Sequence, residues 1–340
     1  MASLNDSLGE FDLIKRFFKR DLPPNPLVTL GIGDDCALLE NLPSTSNWAI
    51  STDMLVEGRH FLSTVDPERL GHKALAVNLS DLAAMGAEPL GFTLALSLPG
   101  VDEAWLAGFS RGLLRLADAH GCELVGGDTT QGPLNICITV FGEVPPGDAL
   151  LRQNAQVGDD IYISGTVGDA RLALEVFRGT HTASGEAFEQ ARLRMEQPTP
   201  RVALGTALRA VANAAIDVSD GLLGDLGHIL KRSSVGAQID TGWLQAAGSF
   251  GDAHLPAGIT PVLAELPWNK RIEFALAGGD DYELCFTAPV NQRELVHAAA
   301  WETDTPVTRI GRITAEPGLV VLDPQGQPIA KRFASFDHFA

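Results

Sequence analysis

Cysteine is scarce in this sequence, with four residues among 340. Cys36, Cys122, Cys137 and Cys285 lie far apart and form no C-x-x-C pair. Such spacing indicates neither a zinc knuckle nor a disulfide framework. We therefore expect reduced thiols and a cytoplasmic protein.

Long apolar runs are also missing. No window approaches the eighteen consecutive apolar residues typical of a membrane-spanning helix. The first nineteen residues include early acidic side chains and no apolar core of the kind that a signal peptide has. The sequence predicts a soluble intracellular protein with no membrane partner.

Basic residues are few relative to acidic ones. The chain has 25 Lys and Arg against 43 Asp and Glu, a formal charge of −18. Nucleic acid is excluded as the main partner, because its phosphates require a basic surface. Any phosphate-bearing substrate must therefore arrive together with cations. A 45% share of apolar residues still allows a sizeable core, and the length suggests two or three domains.

The common catalytic and nucleotide-binding motifs are absent. No Gly-Lys-[Ser/Thr] occurs, which excludes a Walker A loop, and Gly31-x-Gly33 lacks the third glycine of a dinucleotide fingerprint. No H-E-x-x-H pair or EF-hand loop is present. The sequence G-x-S-x-G occurs at 108–112 (GFSRG), but it lies inside the helix predicted over 105–117 and not at the strand-to-helix turn of a nucleophile elbow. Residues 126–129 and 165–169 remain weak candidates for backbone phosphate cradles, with plain turns as the alternative.

Apolar spacing predicts a mixed α/β fold (α+β mixed). Helices are predicted over 70–82, 105–117, 201–212, 222–231 and 294–301, and strands over 92–98, 123–126, 134–140, 160–164 and 282–287. A long surface loop is predicted over 245–258. Residues 145–147 (PPG) interrupt the first half, so we predict domains over 1–150 and 151–340. The Gly-rich acidic turns at 31–35 and 278–281 hint at two related halves.

The acidic residues are concentrated at predicted element ends beside Gly, Ser or Thr. These aspartates are Asp34, Asp35, Asp53, Asp81, Asp128, Asp217 and Asp220. Short carboxylates on tight turns are suitable oxygen ligands for Mg²⁺. Each one taken alone is equally explained as a helix N-cap or an Asx-turn. Five such clusters in one chain favour a shared metal site.

Six segments resemble the thiamine-monophosphate kinase family. They are residues 31–37 (GIGDDCA), 51–53 (STD), 78–87 (NLSDLAAMGA), 126–130 (GGDTT), 216–222 (IDVSDGL) and 278–284 (GGDDYEL). The resemblance runs in order from about residue 10 to the terminal FDHF at 336–339. The wider superfamily, which includes aminoimidazole ribonucleotide synthetase, selenophosphate synthetase and a hydrogenase maturation factor, does not share this whole set.

The resemblance implies a two-domain fold of the aminoimidazole ribonucleotide (AIR) synthetase type. It implies an N-terminal domain that binds ATP and Mg²⁺ and pairs in a homodimer, followed by a C-terminal α/β domain. The implied reaction transfers the γ-phosphoryl group of ATP to thiamine monophosphate, giving thiamine diphosphate and ADP.

The resemblance also implies roles for individual residues. The implied Mg²⁺ ligands are Asp35, Ser51, Thr52, Asp53, Asp81, Asp128, Asp217 and Asp220, and Asp53, Asp128 and Asp217 would position the reacting phosphates through the metal. The implied ATP contacts are Gly127, Asp128, Arg152 and Ser219. The implied substrate contacts are His60, Asp280 and Phe333.

Some alternatives remain open for these residues and for the activity. Asp280 and Phe333 stand where the family commonly has Glu and Trp, and Phe333 is equally explained as a packing aromatic that anchors the C-terminal tail. His60 by itself has the pattern of an ordinary surface or core histidine. Two other functions remain open for the chain, that of an AIR synthetase-like enzyme and that of a non-catalytic nucleotide-binding regulator.

The implied reaction also predicts how the phosphoryl group is transferred. Because the acceptor phosphate is already ionised at neutral pH, we expect no side-chain nucleophile and no phosphoenzyme.

Overall fold

The computed structural model describes residues 10–19, 28–30, 38–39, 45–245, 258–331 and 333. The chain divides into two compact units. The first contains Met1–Leu79 and Pro89–Pro145, and the second contains Ser80–Glu88 and Pro146–Ala340.

This division differs in two ways from the predicted boundary at residue 150. It lies between Pro145 and Pro146, and it assigns the short stretch Ser80–Glu88 to the second unit. Two backbone carbonyls of this stretch accept hydrogen bonds from residues of the second unit. The N–H of Leu150 donates to the carbonyl of Met85 at 3.1 Å, and Arg209 Nε donates to the carbonyl of Gly86 at 2.6 Å.

The described residues up to residue 144 form three helices and six strands. They form α1 (Glu10–Phe17), β1 (Val28–Leu30), β2 (Leu38–Leu39), β3 (Asn47–Val56), α2 (Pro67–Ala84), β4 (Glu88–Leu98), α3 (Glu103–Ala119), β5 (Glu123–Gln131) and β6 (Asn135–Val144). The order of the main sheet is β3-β6-β4-β5. β3 pairs antiparallel with β6, and β4 pairs parallel with β5.

The main sheet of the first unit has one buried and one open face. Alternate residues of β6, such as Ile136, Ile138 and Val140, are buried. On β3, the residues that alternate toward the other face are exposed, among them Ile50 at 61% and Met54 at 52%. Period-two alternation of this kind is expected when only one face of a sheet is covered.

Two helices of this unit, α2 and α3, begin at aspartate caps. Asp66 Oδ1 accepts hydrogen bonds from the second and third backbone N–H groups after it, at the start of α2, and Asp102 caps α3 in the same way. α2 and α3 then pack so closely that a Cβ on Gly71 would collide with the carbonyl of Phe109. These two aspartates have the local capping role that was the alternative explanation for the acidic clusters.

The second unit is built on a six-stranded sheet. From residue 160 onward the chain forms β7 (Asp160–Ser164), α4 (Asp169–Phe177), α5 (Gly185–Glu196), α6 (Val202–Ala207), β8 (Ala214–Asp217), α7 (Leu222–Ser233), β9 (Gly236–Asp240), α8 (Pro261–Ala264), α9 (Trp268–Ala277), β10 (Leu284–Ala288), α10 (Arg293–Glu302), β11 (Val307–Thr314) and β12 (Gly318–Leu322). The strand order is β12-β9-β11-β7-β10-β8. β9 and β12 are parallel, and all other neighbouring strands of this sheet are antiparallel.

Three strands of this sheet are buried along their whole length. Every residue of β7, β8 and β10 is buried, as in a sheet covered on both faces. In the register of β8 and β10, Asp217 stands opposite Leu284. The chain leaving β8 and the chain entering β10 therefore lie at the same end of the sheet.

The predicted mixed α/β class is confirmed, with shifts at element ends. The helix predicted over 201–212 ends at Ala207, and the strand predicted over 282–287 begins only at Leu284. The late start of that strand has a backbone cause, because Tyr282 has a positive φ of 50° that an extended strand does not allow. Most of the loop predicted over 245–258 lies outside the described residues. Among the described helices, none has the length and apolarity needed to cross a bilayer.

Candidate functional site

The predicted site residues fall into two sets, one in each unit. The first unit carries Ser51, Thr52, Asp53, His60, Gly127 and Asp128, and the second carries Asp81, Arg152, Asp217, Ser219, Asp220, Asp280 and Phe333. Asp35 lies outside the described residues, as does the whole of segment 31–37.

Asp53 lies on the edge strand β3 and is held through its backbone. Its N–H donates to Asn78 Oδ1 at 3.1 Å, and Asn78 Nδ2 in turn donates to the carbonyl of Ala74 at 3.0 Å. Asn78 is 1% exposed, and it is the first residue of the NLSD motif. The sequence alone assigned no role to this asparagine, and in the structure its side chain holds the strand that carries Asp53.

The hydroxyls beside Asp53 alternate across the strand. Thr52 Oγ1 lies 2.8 Å from Thr139 Oγ1 on β6, a cross-strand pair on the open face. Ser51 and Asp53 are on the opposite face, in register with Val140 and Ile138. The three predicted ligands of the STD segment therefore do not point the same way.

Asp128 lies on β5, the other edge of the sheet. It is exposed, in register with Ala95 of β4, and β6 and β4 separate its strand from β3. Three strand spacings correspond to roughly 14 Å. Within the first unit, the sheet thus does not bring Asp53 and Asp128 together.

Gly127 requires the absence of a side chain. Its φ is 149°, and a Cβ at this position would collide with the backbone of Leu94. The glycine allows β5 to approach β4 closely immediately before Asp128.

The ring of His60 has a defined tautomer. The backbone N–H of Val56 donates to His60 Nδ1 at 3.0 Å, so Nδ1 carries no proton and the ring hydrogen is on Nε2. The carbonyl of His60 accepts a hydrogen bond from Lys73 Nζ at 3.3 Å, and Lys73 is 2% exposed. This arrangement makes Nε2–H of His60 a hydrogen-bond donor.

Two of the predicted metal ligands in the second unit are brought into one neighbourhood. The hydroxyl of Ser80 donates to Asp217 Oδ2 at 2.9 Å, and Ser80 immediately precedes Asp81. Both Ser80 and Asp217 are buried, at 0% and 5% exposure. The end of α2 and the end of β8 are therefore linked at the predicted site.

Two loops of this unit are joined by their backbones. These are the loop at 217–221 and the loop at 278–283. The N–H of Asp280 donates to the carbonyl of Ser219 at 2.8 Å, the N–H of Tyr282 donates to the carbonyl of Val218 at 2.9 Å, and the N–H of Val218 donates to the carbonyl of Glu283 at 2.8 Å. A Cβ on Gly279 would collide with the carbonyl of Ser219. The interlocked loops place Asp280 beside Ser219 and Asp220.

Asp280 has an uncommon backbone conformation. Its φ is 67° and that of Tyr282 is 50°, both in the left-handed region. The hydroxyl of Tyr282 donates to Asp280 Oδ1 at 3.2 Å. Left-handed non-glycine residues of this kind persist only where their surroundings hold them in place.

The side chains that alternate with these two residues are fully buried. Glu283 is 0% exposed and accepts from Arg201 Nε and Nη2, Arg194 Nη2 and Ser164 Oγ, each at 2.6 Å. Burial alone would raise the pKa of Glu283, but the charges of Arg201 and Arg194 more than offset it and hold the pKa below its ordinary value. Glu283 is therefore an ionised anchor for the loop.

Asp281 anchors the same loop to a second element. Its Oδ2 accepts a hydrogen bond from the N–H of Gly168 at 2.8 Å, at the start of α4. Burial raises the pKa of Asp281 well above its ordinary value, and that hydrogen bond partly opposes the rise.

The segment 165–169, a candidate phosphate cradle in the sequence, uses its backbone N–H groups within the protein. The amides of Gly165 and Val167 donate to the carbonyls of Pro306 and Gly258, and the amide of Gly168 donates to Asp281. These three amides of segment 165–169 therefore bind acceptors within the protein and are not available to a phosphate.

A third buried carboxylate, Asp225, was missed by sequence reasoning. It lies in the first turns of α7, is 3% exposed, and accepts three hydrogen bonds from the loop at 219–221. Burial raises its pKa to about 6 despite those bonds. The sequence does contain a signal for Asp225, since it is an acidic residue four positions after the SDG turn at 219–221.

Arg152 and Phe333, the two remaining predicted site residues, make contacts within the second unit. The carbonyl of Arg152 accepts from Ser233 Oγ at 2.9 Å, and the Arg152 side chain is exposed. Phe333 packs against the core of the second unit, with Lys331 Nζ 5.5 Å from its ring centre. The packing role that the sequence left open for Phe333 is therefore present.

The metal-binding side chains of the described residues are dispersed. Within the part of the chain that the structure describes, no group of three or more His, Cys, Asp or Glu side chains converges in a way that could hold an ion. The side chains of the residues predicted as metal ligands carry carboxylate and hydroxyl oxygens, the ligand type that Mg²⁺ prefers. The chemistry of the set fits Mg²⁺, and it does not fit a zinc site, which uses Cys and His.

Comparisons with known proteins assign the chain to a family. The family model "AIR synthase related protein, N-terminal domain" matches residues 33–144, and the model of the C-terminal domain matches residues 156–323. Thiamine-monophosphate kinase of Escherichia coli (strain K12) is 46% identical over 333 residues, which are 98% of each chain. The enzyme of Aquifex aeolicus (strain VF5) is 32% identical over 326 residues, 94% of this chain and 97% of the relative.

Solved structures agree with these sequence matches. The crystal structure of thiamine-monophosphate kinase from Stenotrophomonas maltophilia K279a has 46% identity and a TM-score of 0.79, over 89% of this chain and 92% of that chain. AaThiL complexed with AMPPCP and TMP has 28% identity and a TM-score of 0.70, over 88% and 90% of the two chains. The predicted AIR synthetase-type fold is confirmed. The similarity extends along both domains, and the chain belongs to the thiamine-monophosphate kinase family.

Proposed function

We propose that this protein transfers the γ-phosphoryl group of ATP to thiamine monophosphate, producing thiamine diphosphate and ADP. The observation that carries the proposal is the interlocking of the loops at 217–221 and 278–283, which holds Asp217, Ser219 and Asp220 beside Asp280. In this way the proposed phosphate-binding residues and a proposed substrate-binding residue share one rigid element. The relatives support it, since one family structure was solved with AMPPCP and TMP.

The proposal keeps eight residues as metal ligands. They are Asp35, Ser51, Thr52, Asp53, Asp81, Asp128, Asp217 and Asp220. The hydroxyl of Thr52 pairs with Thr139 on the face opposite Asp53, so Thr52 would contribute its backbone carbonyl and not that hydroxyl. Bound Mg²⁺ would supply positive charge to bridge phosphate oxygens and neutralise the transferring group. These residues would hold several Mg²⁺ ions by hard oxygen donors. Ser80 donates to the carboxylate of Asp217, and Asn78 holds the backbone of Asp53.

The need for cations follows from the charge of the site. A close contact between two like charges costs roughly 4 kcal/mol near 4 Å at an effective dielectric constant of 20. Two phosphate-bearing anions approaching a set of aspartates meet several such contacts. In a chain of net charge −18, the carboxylates bind these substrates only together with cations.

Other residues contact the two substrates directly in this proposal. Gly127, Asp128, Arg152 and Ser219 contact ATP, and His60, Asp280 and Phe333 contact thiamine monophosphate. The Nε2–H of His60 is a donor suited to an anionic or carbonyl-type acceptor. The carboxylate of Asp280 and the ring of Phe333 suit a cationic heteroaromatic ring, such as the thiazolium of thiamine.

No side-chain nucleophile is needed for the transfer. The acceptor oxygen belongs to a phosphate that is ionised at neutral pH, so a strong general base has no proton to remove. The thiols of Cys122 and Cys285 are buried, and burial raises the pKa of both, which makes them poor nucleophiles. We infer direct in-line transfer, with catalysis by positioning and by stabilisation of charge.

We also propose that the first unit pairs with a second copy through the open face of its sheet. Trp48, Ile50 and Met54 of β3 lie on that face and are 40%, 61% and 52% exposed. Phe141, in register with Ile50, extends the apolar surface onto β6. Apolar faces of this kind on a sheet are typical of homodimer interfaces. The proposed homodimer works in the cytoplasm, the compartment that supplies ATP.

One assay tests the activity. Purified protein is incubated with ATP, Mg²⁺ and thiamine monophosphate, and thiamine diphosphate and ADP are quantified by chromatography. Equal amounts of the two products are expected. Hydrolysis of ATP with no thiamine diphosphate, or binding of nucleotide with no turnover, would contradict the proposed reaction and favour an AIR synthetase-like enzyme or a regulator respectively.

A further inference from the structure

Asp225 makes an unusual set of hydrogen bonds at the start of α7. A single oxygen, Oδ2, accepts from three successive backbone N–H groups, those of Ser219, Asp220 and Gly221, at 3.1, 3.1 and 3.0 Å. The side chain is 3% exposed, and the helix begins one residue after this turn, at Leu222.

Successive amides that converge on one point form a concavity for an anion. In many phosphate-binding turns the anion is the ligand, but here the protein's own carboxylate fills the concavity. The amides of Ser219, Asp220 and Gly221 are therefore not available to a phosphate. The turn can offer a ligand only its side chains.

The other side of the same turn is also held. The carbonyl groups of Val218 and Ser219 accept hydrogen bonds from Tyr282 and Asp280. The turn is thus fixed through its N–H groups by Asp225 and through its carbonyls by the loop at 278–283. Removing the carboxylate would free one of these two sides while leaving the other in place.

We infer that Asp225 is a positioning residue that sets the conformation of the turn carrying Ser219 and Asp220, and thereby the affinity for metal-bound nucleotide. The inference rests on the proposed function for the roles of those two side chains. A hydrogen bond donated to an ionised acceptor is about twice as strong as one donated to a neutral acceptor, so the negative charge of Asp225 contributes as well as its oxygen.

The test uses two variants of the full chain and a matched control. Asp225→Asn keeps an acceptor oxygen without the charge, and Asp225→Ala removes both. Asp159→Asn is the control, because Asp159 is also 3% exposed and accepts hydrogen bonds from Asn213, Thr287 and Gln156, none of them in the turn. Calorimetry measures the affinity for the ATP analogue AMPPCP with Mg²⁺, kinetics gives KM for both substrates, and melting gives Tm.

We expect Asp225→Ala to weaken the binding of AMPPCP with Mg²⁺ by about tenfold to a hundredfold, as for other residues that orient ligands indirectly. Asp225→Asn should have a smaller effect, about threefold to tenfold. KM for ATP should rise together with the dissociation constant of AMPPCP. It should rise more than KM for thiamine monophosphate does. The control should lower Tm with binding unchanged.

The inference is overturned if both Asp225 variants bind AMPPCP within about twofold of the unmodified protein while Tm falls as in the control, since Asp225 would then only stabilise the fold. If Asp225→Ala does not fold, the asparagine variant decides by the same criterion. The binding readout is independent of turnover. A protein that binds AMPPCP and makes no thiamine diphosphate would contradict the proposed function and leave the role of Asp225 still tested.

Discussion

The hydroxyl of Ser80 donates a 2.9 Å hydrogen bond to the carboxylate of Asp217, although 137 residues separate them in the chain. Each belongs to a different acidic motif of the sequence, NLSD and DVSD. Both side chains are buried, so the bond is shielded from competing water. Two motifs that the sequence shows only as separate turns are thus parts of one arrangement.

Replacing Ser80 by alanine should affect stability and metal dependence together. The buried carboxylate loses one partner, which costs about 1–3 kcal/mol of unfolding free energy. The Mg²⁺ concentration for half-maximal activity should rise, because Asp217 is no longer held in one orientation. Ser110→Ala is the control, since that hydroxyl makes only a 3.4 Å bond to the carbonyl of Ala107. A loss of stability with unchanged Mg²⁺ dependence would show that Ser80 has no influence on the site.

Asp53→Asn and Asp128→Asn should abolish turnover without unfolding the protein. Each change removes one charge from the proposed metal ligands at nearly constant volume. The rate should fall by more than about a hundredfold, the size expected when a metal-borne electrostatic contribution is lost. The measurement is the rate of thiamine diphosphate formation across a range of Mg²⁺ concentrations. Asp102→Asn is a suitable control, because asparagine caps a helix about as well as aspartate. Near-normal activity in either variant would exclude that residue as a ligand.

Binding of ATP should depend steeply on Mg²⁺. The aspartates and the net charge of −18 oppose the approach of an uncompensated triphosphate. Calorimetric titration of the protein with ATP in excess chelator, and again with saturating Mg²⁺, should give detectable heat only in the second case. Tight binding of metal-free ATP would contradict the charge argument.

Substitutions at Phe333 can separate its packing role from a substrate role. Phe333→Leu keeps apolar contact with the core of the second unit and removes the aromatic ring. A lost cation–π contact of about 0.5–2 kcal/mol should raise KM for thiamine monophosphate by roughly two- to thirtyfold, with a small change in kcat. Phe333→Ala should add a fall in Tm, and Phe333→Trp should preserve or improve binding. If only Tm changes across the series, Phe333 is a tail anchor alone.

Arg201→Ala should destabilise the protein in a pH-dependent way. Breaking a buried ion pair by removing one partner costs about 3–5 kcal/mol at neutral pH, because Glu283 stays charged and buried. The pKa of Glu283 is lowered from 4.5, so its contribution is complete above pH 4.5 and is lost as the pH falls through the lowered value. The difference between variant and unmodified protein should therefore shrink below pH 4.5, as followed by urea unfolding.

Arg293→Ala is the comparison for this pH series. Asp160 and Glu283 each have two arginine partners, but Arg293 and Arg309 are 41% and 55% exposed, whereas Arg201 and Arg194 are 13% and 22% exposed, so solvent screens the pairs of Asp160 more strongly. The loss of stability in Arg293→Ala should be smaller than that of Arg201→Ala at neutral pH. A destabilisation by Arg201→Ala that does not change with pH would mean that the charge on Glu283 is not what Arg201 stabilises.

Strong local periodicity was sufficient to predict several elements. The apolar spacing over 105–117 predicted α3, and the alternation over 134–140 predicted most of β6. Short segments without a clean period were not predicted, among them β8 and β9. All of β8 and three of the five residues of β9 are buried, and this burial is decided by neighbours far away in the sequence.

The sequence by itself determined the family, the oxygen-donor chemistry and the negative charge that requires cations, because these depend on residue types and their order along the chain. Only the tertiary structure decided which acids lie together. It put Asp53 and Asp128 on opposite edges of one sheet, joined Ser80 to Asp217, and assigned Asp225 to the three amides of its own turn. Hydrogen-bond partners and strand order depend on contacts between residues distant in the chain, which local composition and spacing do not encode.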